Sequence, residues 1–467
     1  MTGVPLRNYQ ERGADLIVRV TEGPPEAHLV ACPTGGGKTV VAMAAARRLI
    51  DKGLRGAVLV HRDHLVDQAL QHAHAWGIHA SVIKAGRPYD PAAPLVIASV
   101  HTCRVRKTRP DVKWVIGDEC HIASVHKPMQ EWYSGIPRIG LTATPQLYGD
   151  KTLAGFFQHL HILAKPSELL DAGHIVPARI FVPPLPDLAH VRLVGGDFSE
   201  EDLERVMGRT EVVGNVVEHW LKHARHLSTL CFAVNRAHAR SLVTRFQDAG
   251  AATAVITGET PDTERASILA QVRERTVEVL VNVAVFIEGY DLPQLGCVSV
   301  ARPTCSLALW LQMCGRGCRP SEGKHNFILL DHGGNTFRLR PPLEDRVWSL
   351  EKVARKKRAG DVARTAMRQC PNCWFVYAGH SATCPACGDT RPSRWVVEKH
   401  GELVDVTDQI TQPLRGPSQV TKDLADKFRR GCWAKIRNAS MPAPKKAAWV
   451  ASEMKKFWEE VLSEGTR

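Results

Sequence analysis

The chain has no apolar run approaching the ~18 residues of a membrane span, and its first residues lack a secretory leader pattern. These absences lead to the expectation of a cytoplasmic protein with no membrane partner. Cysteines with ligand spacing are also scarce. Of thirteen, four lie in paired C-x-x-C arrangements, and the others are scattered through strand-like and helix-like runs. That usage fits a reducing compartment, with buried thiols acting as small hydrophobes. Acidic residues are outnumbered, 48 against 61 Lys and Arg, which gives a formal charge of +13 and suits a polyanionic partner. At 467 residues the chain is long enough for about three domains.

Against this background one stretch stands out, Leu29-Val30-Ala31-Cys32-Pro33-Thr34-Gly35-Gly36-Gly37-Lys38-Thr39-Val40. A short apolar run enters a glycine-rich turn that opens an alanine-rich helix, Val40 to Ile50. Glycines let backbone N–H groups surround a phosphate, and the helix N-terminus adds a favourable dipole. Pro33, Thr34, Gly35, Gly36 and Gly37 are therefore candidates to cradle a nucleotide. Lys38 would reach the β- and γ-phosphates, and Thr39 would ligate Mg²⁺. One element of the pattern is missing, because Cys32 stands where G-x-x-x-x-G-K-[ST] begins with glycine.

After this loop, apolar runs predict strands at Ala57–Val60, Leu95–Val100, Trp114–Gly117 and Arg138–Leu141, separated by helices. Such alternation implies a parallel sheet covered on both faces, with ligands at the carboxyl ends of its strands. Asp118-Glu119-Cys120-His121 follows the third run. There Asp118 would hold Mg²⁺, and Glu119 would orient or deprotonate the attacking water of a phosphoryl transfer. Thr142-Ala143-Thr144-Pro145 follows the fourth. His61, His64, His72, His74 and His79 invite a metal reading, but His72 and His74 do not share a helical face, and a solvated helix surface accounts for them.

A second alternation follows a Pro- and Gly-rich connection, Leu185 to Phe198, and a helix start at Ser199-Glu200-Glu201-Asp202. Strands are predicted at Thr229–Val234, Ala251–Ile256 and Val277–Asn282, with helices at Ala237–Ala249 and Thr263–Val272. This half lacks a phosphate loop of its own. It carries Glu288-Gly289-Tyr290-Asp291, and then Gln312-Met313-Cys314-Gly315-Arg316-Gly317-Cys318-Arg319. Arg316 and Arg319 would project from one helical face, and a permanently charged planar guanidinium suits the charge spread over a transferring phosphoryl group.

Taken in order, these stretches resemble superfamily 2 helicases of the DEAD/DEAH group, here with a DECH box. Gly35–Thr39 resembles motif I, Asp118–His121 motif II, Thr142–Thr144 motif III, and Phe232–Asn235 motif IV. Glu288–Asp291 and Gln312–Arg319 resemble motifs V and VI. The resemblance covers roughly Leu6 to Asp331. It implies that Arg7 and Gln10 recognise adenine, that Gly289 and Asp291 help bind nucleotide, and that Gln312 joins Lys38, Asp118, Glu119, Arg316 and Arg319 in the catalytic set. Val60-His61-Arg62 and Ser99–Thr102 resemble motifs Ia and Ib, whose loops touch the nucleic-acid backbone. The Pro-Thr-Arg-Glu-Leu signature of DEAD-box RNA helicases is absent, so motif Ia looks more like the branch containing RecG, UvsW and type III restriction subunits. Arg302-Pro303-Thr304 and Leu329-Leu330-Asp331-His332 look most like RadD-type bacterial repair helicases and their phage-encoded relatives.

Beyond the motor, Arg338 to Arg368 is basic. Two knuckles follow, Cys370-Pro-Asn-Cys373 and Cys384-Pro-Ala-Cys387, a spacing that matches a closed tetrahedral Zn²⁺ site. Leu424, Phe428, Cys432 and Ile436, then Val450, Met454, Trp458 and Leu462, form two helical stripes that predict a packed pair.

The expected fold is α/β, two tandem RecA-like parallel-sheet domains followed by a zinc ribbon and a small helical segment. The domains are a helicase ATP-binding domain over 1–176 and a helicase C-terminal domain over 177–335. A basic linker over 336–368, the ribbon over 369–392 and a helical domain over 393–467 complete the chain. The resemblance implies an ATP-dependent DNA helicase, with ATP, Mg²⁺ and Zn²⁺ as cofactors, in DNA repair, recombination or replication. A duplex translocase that leaves strands paired, or an RNA helicase, are the alternatives. The expected partner is nucleic acid, foremost single-stranded or branched DNA, with repair or replication proteins as candidates for the C-terminal region.

Overall fold

The computed structural model describes residues 5–61, 63–146, 152–182, 186–283, 292, 294–351, 367–369, 376–378 and 404–405. Gly289, Asp291, Cys370, Cys373, Cys384 and Cys387 and the C-terminal stripes lie outside them.

The first lobe runs α1 (Asn8–Thr21), β1 (Ala27–Ala31), α2 (Lys38–Asp51), β2 (Gly56–Val60), α3 (Asp63–Ala75), β3 (Ala80–Ile83), β4 (Leu95–Ser99), α4 (Val100–Arg106), β5 (Trp114–Gly117), α5 (Ala123–Tyr133), β6 (Arg138–Thr142), β7 (His159–Ile162) and α6 (Pro166–Asp171). Its seven strands pair in parallel in the order β3-β4-β2-β5-β6-β1-β7. The central strands are continuous apolar runs because both faces are covered. Val30, Val58, Val60, Ile97, Ile116 and Leu141 pack on one side, and Leu29, Leu59, Val96 and Val115 on the other. The predicted Leu95–Val100 strand is shorter by one residue. Ser99 N-caps α4 by accepting from the Thr102 amide, so Val100 opens the helix.

The second lobe repeats the plan. It runs β8 (Ala178–Val182), the short hairpin β9 (Leu193–Val194) and β10 (Asp197–Phe198), α7 (Glu200–Met207), α8 (Thr210–His223), β11 (Thr229–Phe232), α9 (Arg236–Asp248), β12 (Thr253–Ile256), α10 (Asp262–Arg273), β13 (Val279–Asn282), β14 (Cys297–Val300), α11 (Leu307–Gly315), β15 (Phe327–Asp331) and α12 (Asn335–Leu339). The sheet order is β12-β13-β11-β14-β15-β8, and Val404–Asp405 adds antiparallel to β8. These are two parallel α/β sheets of the kind expected for tandem RecA-like domains. The predicted connection Leu185 to Phe198 holds the β9–β10 hairpin, where the Asp197 carboxylate accepts from the Thr304 hydroxyl and the Cys305 amide, both at 2.6 Å. Ser199 caps α7 as expected.

One face of the second sheet continues across the cleft. Leu230, Val298, Trp310 and Phe327 belong to the same buried cluster as Tyr9, Cys32, Leu169 and Ile175. The start of the basic stretch is also docked rather than free. The Arg338 side chain is half-buried, donates to the Thr304 and Gly333 carbonyls, and lies 5.1 Å over the Phe198 ring. Further on, Asp345 accepts from the Ser167 amide and hydroxyl, and the Leu350 carbonyl accepts from the Ala154 amide and the Thr152 hydroxyl. Leu343 and Trp348 pack on the cluster that spans the cleft, and Leu350 on the outer face of the first sheet. Residues 335–351 therefore strap the second lobe to the first.

Candidate nucleotide site

Three adjacent strands, β5, β6 and β1, end beside one another, and each carries one of the polar clusters at its carboxyl end. Gly35 and Gly37 take left-handed φ of 85° and 81°. Gly37 thereby turns the chain into α2, whose first turn has no side-chain cap. Its leading N–H groups are the donors a phosphate requires. The missing first glycine is explained by packing. Cys32 is 1% exposed, its thiol is pushed up to about 12 by burial, and a Cβ on Gly36 would overlap its Sγ. The sulfur fills space inside the loop that a glycine at position 32 would leave open.

Tyr9 and Gln10 brace the loop from α1. The Tyr9 hydroxyl donates to the Gly36 carbonyl at 2.7 Å, and Gln10 Nε2 donates to the same oxygen at 3.1 Å. Gln10 Oε1 accepts from the Arg7 amide, and the Arg7 guanidinium donates to the Tyr9 hydroxyl. Sequence reasoning missed Tyr9. Its signal was that it sits between two residues already singled out.

Lys38 Nζ lies 3.4 Å from Glu119 Oε1, and His121 Nδ1 lies 3.3 Å from Glu119 Oε2. Burial pushes the Glu119 carboxyl up, but the Lys38 ammonium and His121 outweigh it and hold the group below the usual carboxylate range. Burial disfavours the Lys38 charge, and Glu119 with Asp118 more than restores it, so the ammonium is held above its ordinary range. Glu119 has φ of 50°, a left-handed backbone that a non-glycine residue adopts at a cost of order 1–3 kcal/mol. The backbone strain puts the carboxylate beside Lys38. Thr39 and Asp118 line one cavity with Val60 and Leu141, which brings the two oxygen donors for a hard cation together.

From Glu119 the contacts run outward. His121 Nδ1 is hydrogen-bonded to Thr142 Oγ1 at 3.0 Å, and the same oxygen accepts from the Thr144 amide at 3.0 Å. Gln312 Nε2, from the second lobe, lies 3.5 Å from His121 Nε2. Thr34 Oγ1 and Thr144 Oγ1 are buried hydroxyls with no hydrogen-bond partner among the described residues. Oxygens stranded in this way, beside an uncapped helix start and a Lys–Glu pair, fit a site that takes a polar, phosphate-bearing ligand.

The second lobe meets the loop through α11. Cys318 Sγ is 3.5 Å from the Thr34 carbonyl oxygen, and a Cβ on Gly315 would overlap the Thr34 side chain. Arg316, 8% exposed, lies between those two contacts. The expectation that Arg316 and Arg319 share a helical face is corrected here. The helix ends at Gly315 with Arg316 as its C-cap, and Arg319 follows two residues after the turn, half-buried. A Cβ on Gly317 would overlap the Phe327 ring.

Two family models match the chain, one for the type III restriction enzyme res subunit over residues 3–147 and one for the helicase conserved C-terminal domain over 210–321. A 51.5 kDa protein of a Lactococcus phage is 27% identical over 80% of this chain and 80% of its own length. A Saccharomyces cerevisiae protein named as a candidate ATP-dependent helicase, IRC3, is 29% identical over 70% of this chain, which spans 51% of that protein. Among solved structures, the ATP-dependent type ISP restriction-modification enzyme LlaBIII bound to DNA superposes with a TM-score of 0.55 at 15% identity, over 71% of this chain and 28% of that one. At that identity the likeness shows the fold. Motifs in order on two RecA-like sheets, with both family models matched, place this chain in the superfamily 2 helicases of the type III restriction subunit-like family, whose helicase domains hydrolyse ATP.

Proposed function

We propose that this chain is a DNA-dependent ATPase that translocates on, or unwinds, DNA in repair, recombination or replication. The observation that carries the reading is the line of contacts from Lys38 through Glu119 and His121 to Thr142 and Gln312. It joins the phosphate loop, the acidic box and both lobes. Lys38, Thr39 and Asp118 would hold Mg·ATP on the first lobe, the cation supplying charge stabilisation to the phosphoryl oxygens. Glu119, kept ionised by Lys38, orients the attacking water. Arg316 and Arg319 bring fixed positive charge from the second lobe, and Arg7 and Gln10 would recognise the adenine. Gly289 and Asp291, with Thr142 and Thr144, couple cleft closure to the nucleic-acid strand.

Beyond the ends of β2 and β4, the exposed Arg104 and Arg106 offer a cationic surface for a phosphate backbone, with His61 and His101 beside them. Structural zinc at Cys370, Cys373, Cys384 and Cys387 rests on their spacing, and metal analysis of a Cys373→Ser protein tests it. ATP turnover measured with single-stranded DNA, duplex, forked DNA and RNA, beside a strand-displacement assay, tests the substrate. Stimulation by DNA with displacement supports a helicase. Stimulation by duplex without displacement indicates a translocase, and stimulation by RNA alone overturns the DNA assignment.

A further inference from the structure

The outer edge of the first sheet carries a group that the ATPase reading leaves without a role. β7 pairs with β1 so that His28 faces His159 and Val30 faces His161, which puts three imidazoles on one side of the sheet. Glu26, just ahead of β1, reaches the same place. Its Oε2 lies 2.8 Å from His159 Nε2 and 3.8 Å from His28 Nε2, and all three ligand atoms lie within 4.8 Å of one another. Donors around one tetrahedral zinc-type ion, each about 2.0–2.1 Å from it, stand about 3.3 Å apart. The two measured separations bracket that value, so small side-chain rotations would close the set.

The fourth member, His161, completes the pattern of a metal-bound imidazole. His28 Nδ1 and His161 Nε2 are 3.1 Å apart, so a proton on His28 Nδ1 donated to His161 leaves His28 Nε2 as a lone-pair donor facing Glu26 and His159. His28 is buried while His159 is exposed, which gives the set both a rigid base and an open entry.

We propose that Glu26, His28 and His159 form a binding site for a divalent transition ion of the zinc type, oriented by His161. Two imidazoles and one carboxylate suit Zn²⁺ over Mg²⁺ or Ca²⁺, which prefer all-oxygen sets. An ion there clips β7 to β1. β7 is the edge strand, with Ile162 44% exposed, and it leads through α6 to the second lobe, whereas β1 leads into the phosphate loop.

The test is Zn²⁺ and Co²⁺ titration of the full chain, with His159→Asn and Glu26→Gln, positions outside the buried core, the first exposed and the second half-buried. Wild type binds one more equivalent of Zn²⁺ than either variant. Its Co²⁺ spectrum contains a component without a thiolate charge-transfer band that is lost in His159→Asn and kept in Cys373→Ser. His161→Leu keeps the stoichiometry but weakens binding roughly 10–100-fold. Equal stoichiometry in wild type and both variants, or a Co²⁺ spectrum unchanged by His159→Asn, overturns the site.

Discussion

Glu119 shows how much of the site is set at single residues. Its left-handed backbone and its two neighbours, Lys38 and His121, keep it charged and aimed. Glu119→Gln preserves shape and removes the charge, so ATP turnover should fall by orders of magnitude while nucleotide binding survives. Lys38→Ala should weaken binding itself, and equilibrium binding beside steady-state turnover separates the two. Both residues were legible in the sequence, because a phosphate loop and a strand-end carboxylate pair are local patterns. The left-handed Glu119 was not, since a non-glycine residue gives no sign of a positive φ in the sequence. The role of Cys32 was likewise hidden, because the cysteine's partner is the space above Gly36.

Elements show where the reading succeeded and where it failed. Runs such as Trp114–Gly117 are apolar because both faces are buried, and such strands announce themselves. The edge strand His159-Leu160-His161-Ile162 is half polar and partly exposed, so nothing in its pattern distinguished it from a loop. The strap after β15 was hidden for a related reason. It reads as polar and basic, yet it is held by Leu343, Trp348, Leu350 and backbone contacts from both lobes.

The C-terminal end of α11 yields a prediction at this scale. A methyl on Gly315 meets Thr34, so Gly315→Ala should separate the lobes, cost about 1–3 kcal/mol of stability as overpacking does, and lower turnover. Calorimetry beside an ATPase assay measures both effects. The β1–β7 edge yields another. His28 is held down at about 4 in the folded chain, against about 6.5 unfolded, because burial and the imidazoles of His159 and His161 outweigh the opposing pull of the Glu26 carboxylate. Between those values the unfolded chain binds the extra proton, so stability should be full above pH 6.5 and fall as pH drops toward 4. In metal-free protein, His28→Phe should flatten that limb in denaturant melts. An unchanged limb would mean that His28 is already protonated in the folded state.

For the whole molecule, the charge of +13 predicts backbone-dominated affinity for nucleic acid. Log K should fall with log salt at about −0.7 per neutralised phosphate on single strands, and equilibrium titrations across salt measure the slope. The two-lobed plan was visible in the sequence from the order of its motifs. The way the lobes meet was not, since Thr34 with Gly315, Cys318 with Thr34, and Gln312 with His121 are pairs separated by most of the chain. Those contacts make the central claim testable, namely that the second lobe completes one nucleic-acid-dependent ATPase site. The direct measurement is steady-state ATP hydrolysis by wild type and Arg316→Ala, with and without saturating single-stranded DNA. Wild type should be strongly stimulated by DNA, and Arg316→Ala should lose ~10³–10⁵ in turnover with ATP binding retained. Turnover within a few-fold of wild type in Arg316→Ala, or wild-type hydrolysis indifferent to DNA, would contradict it.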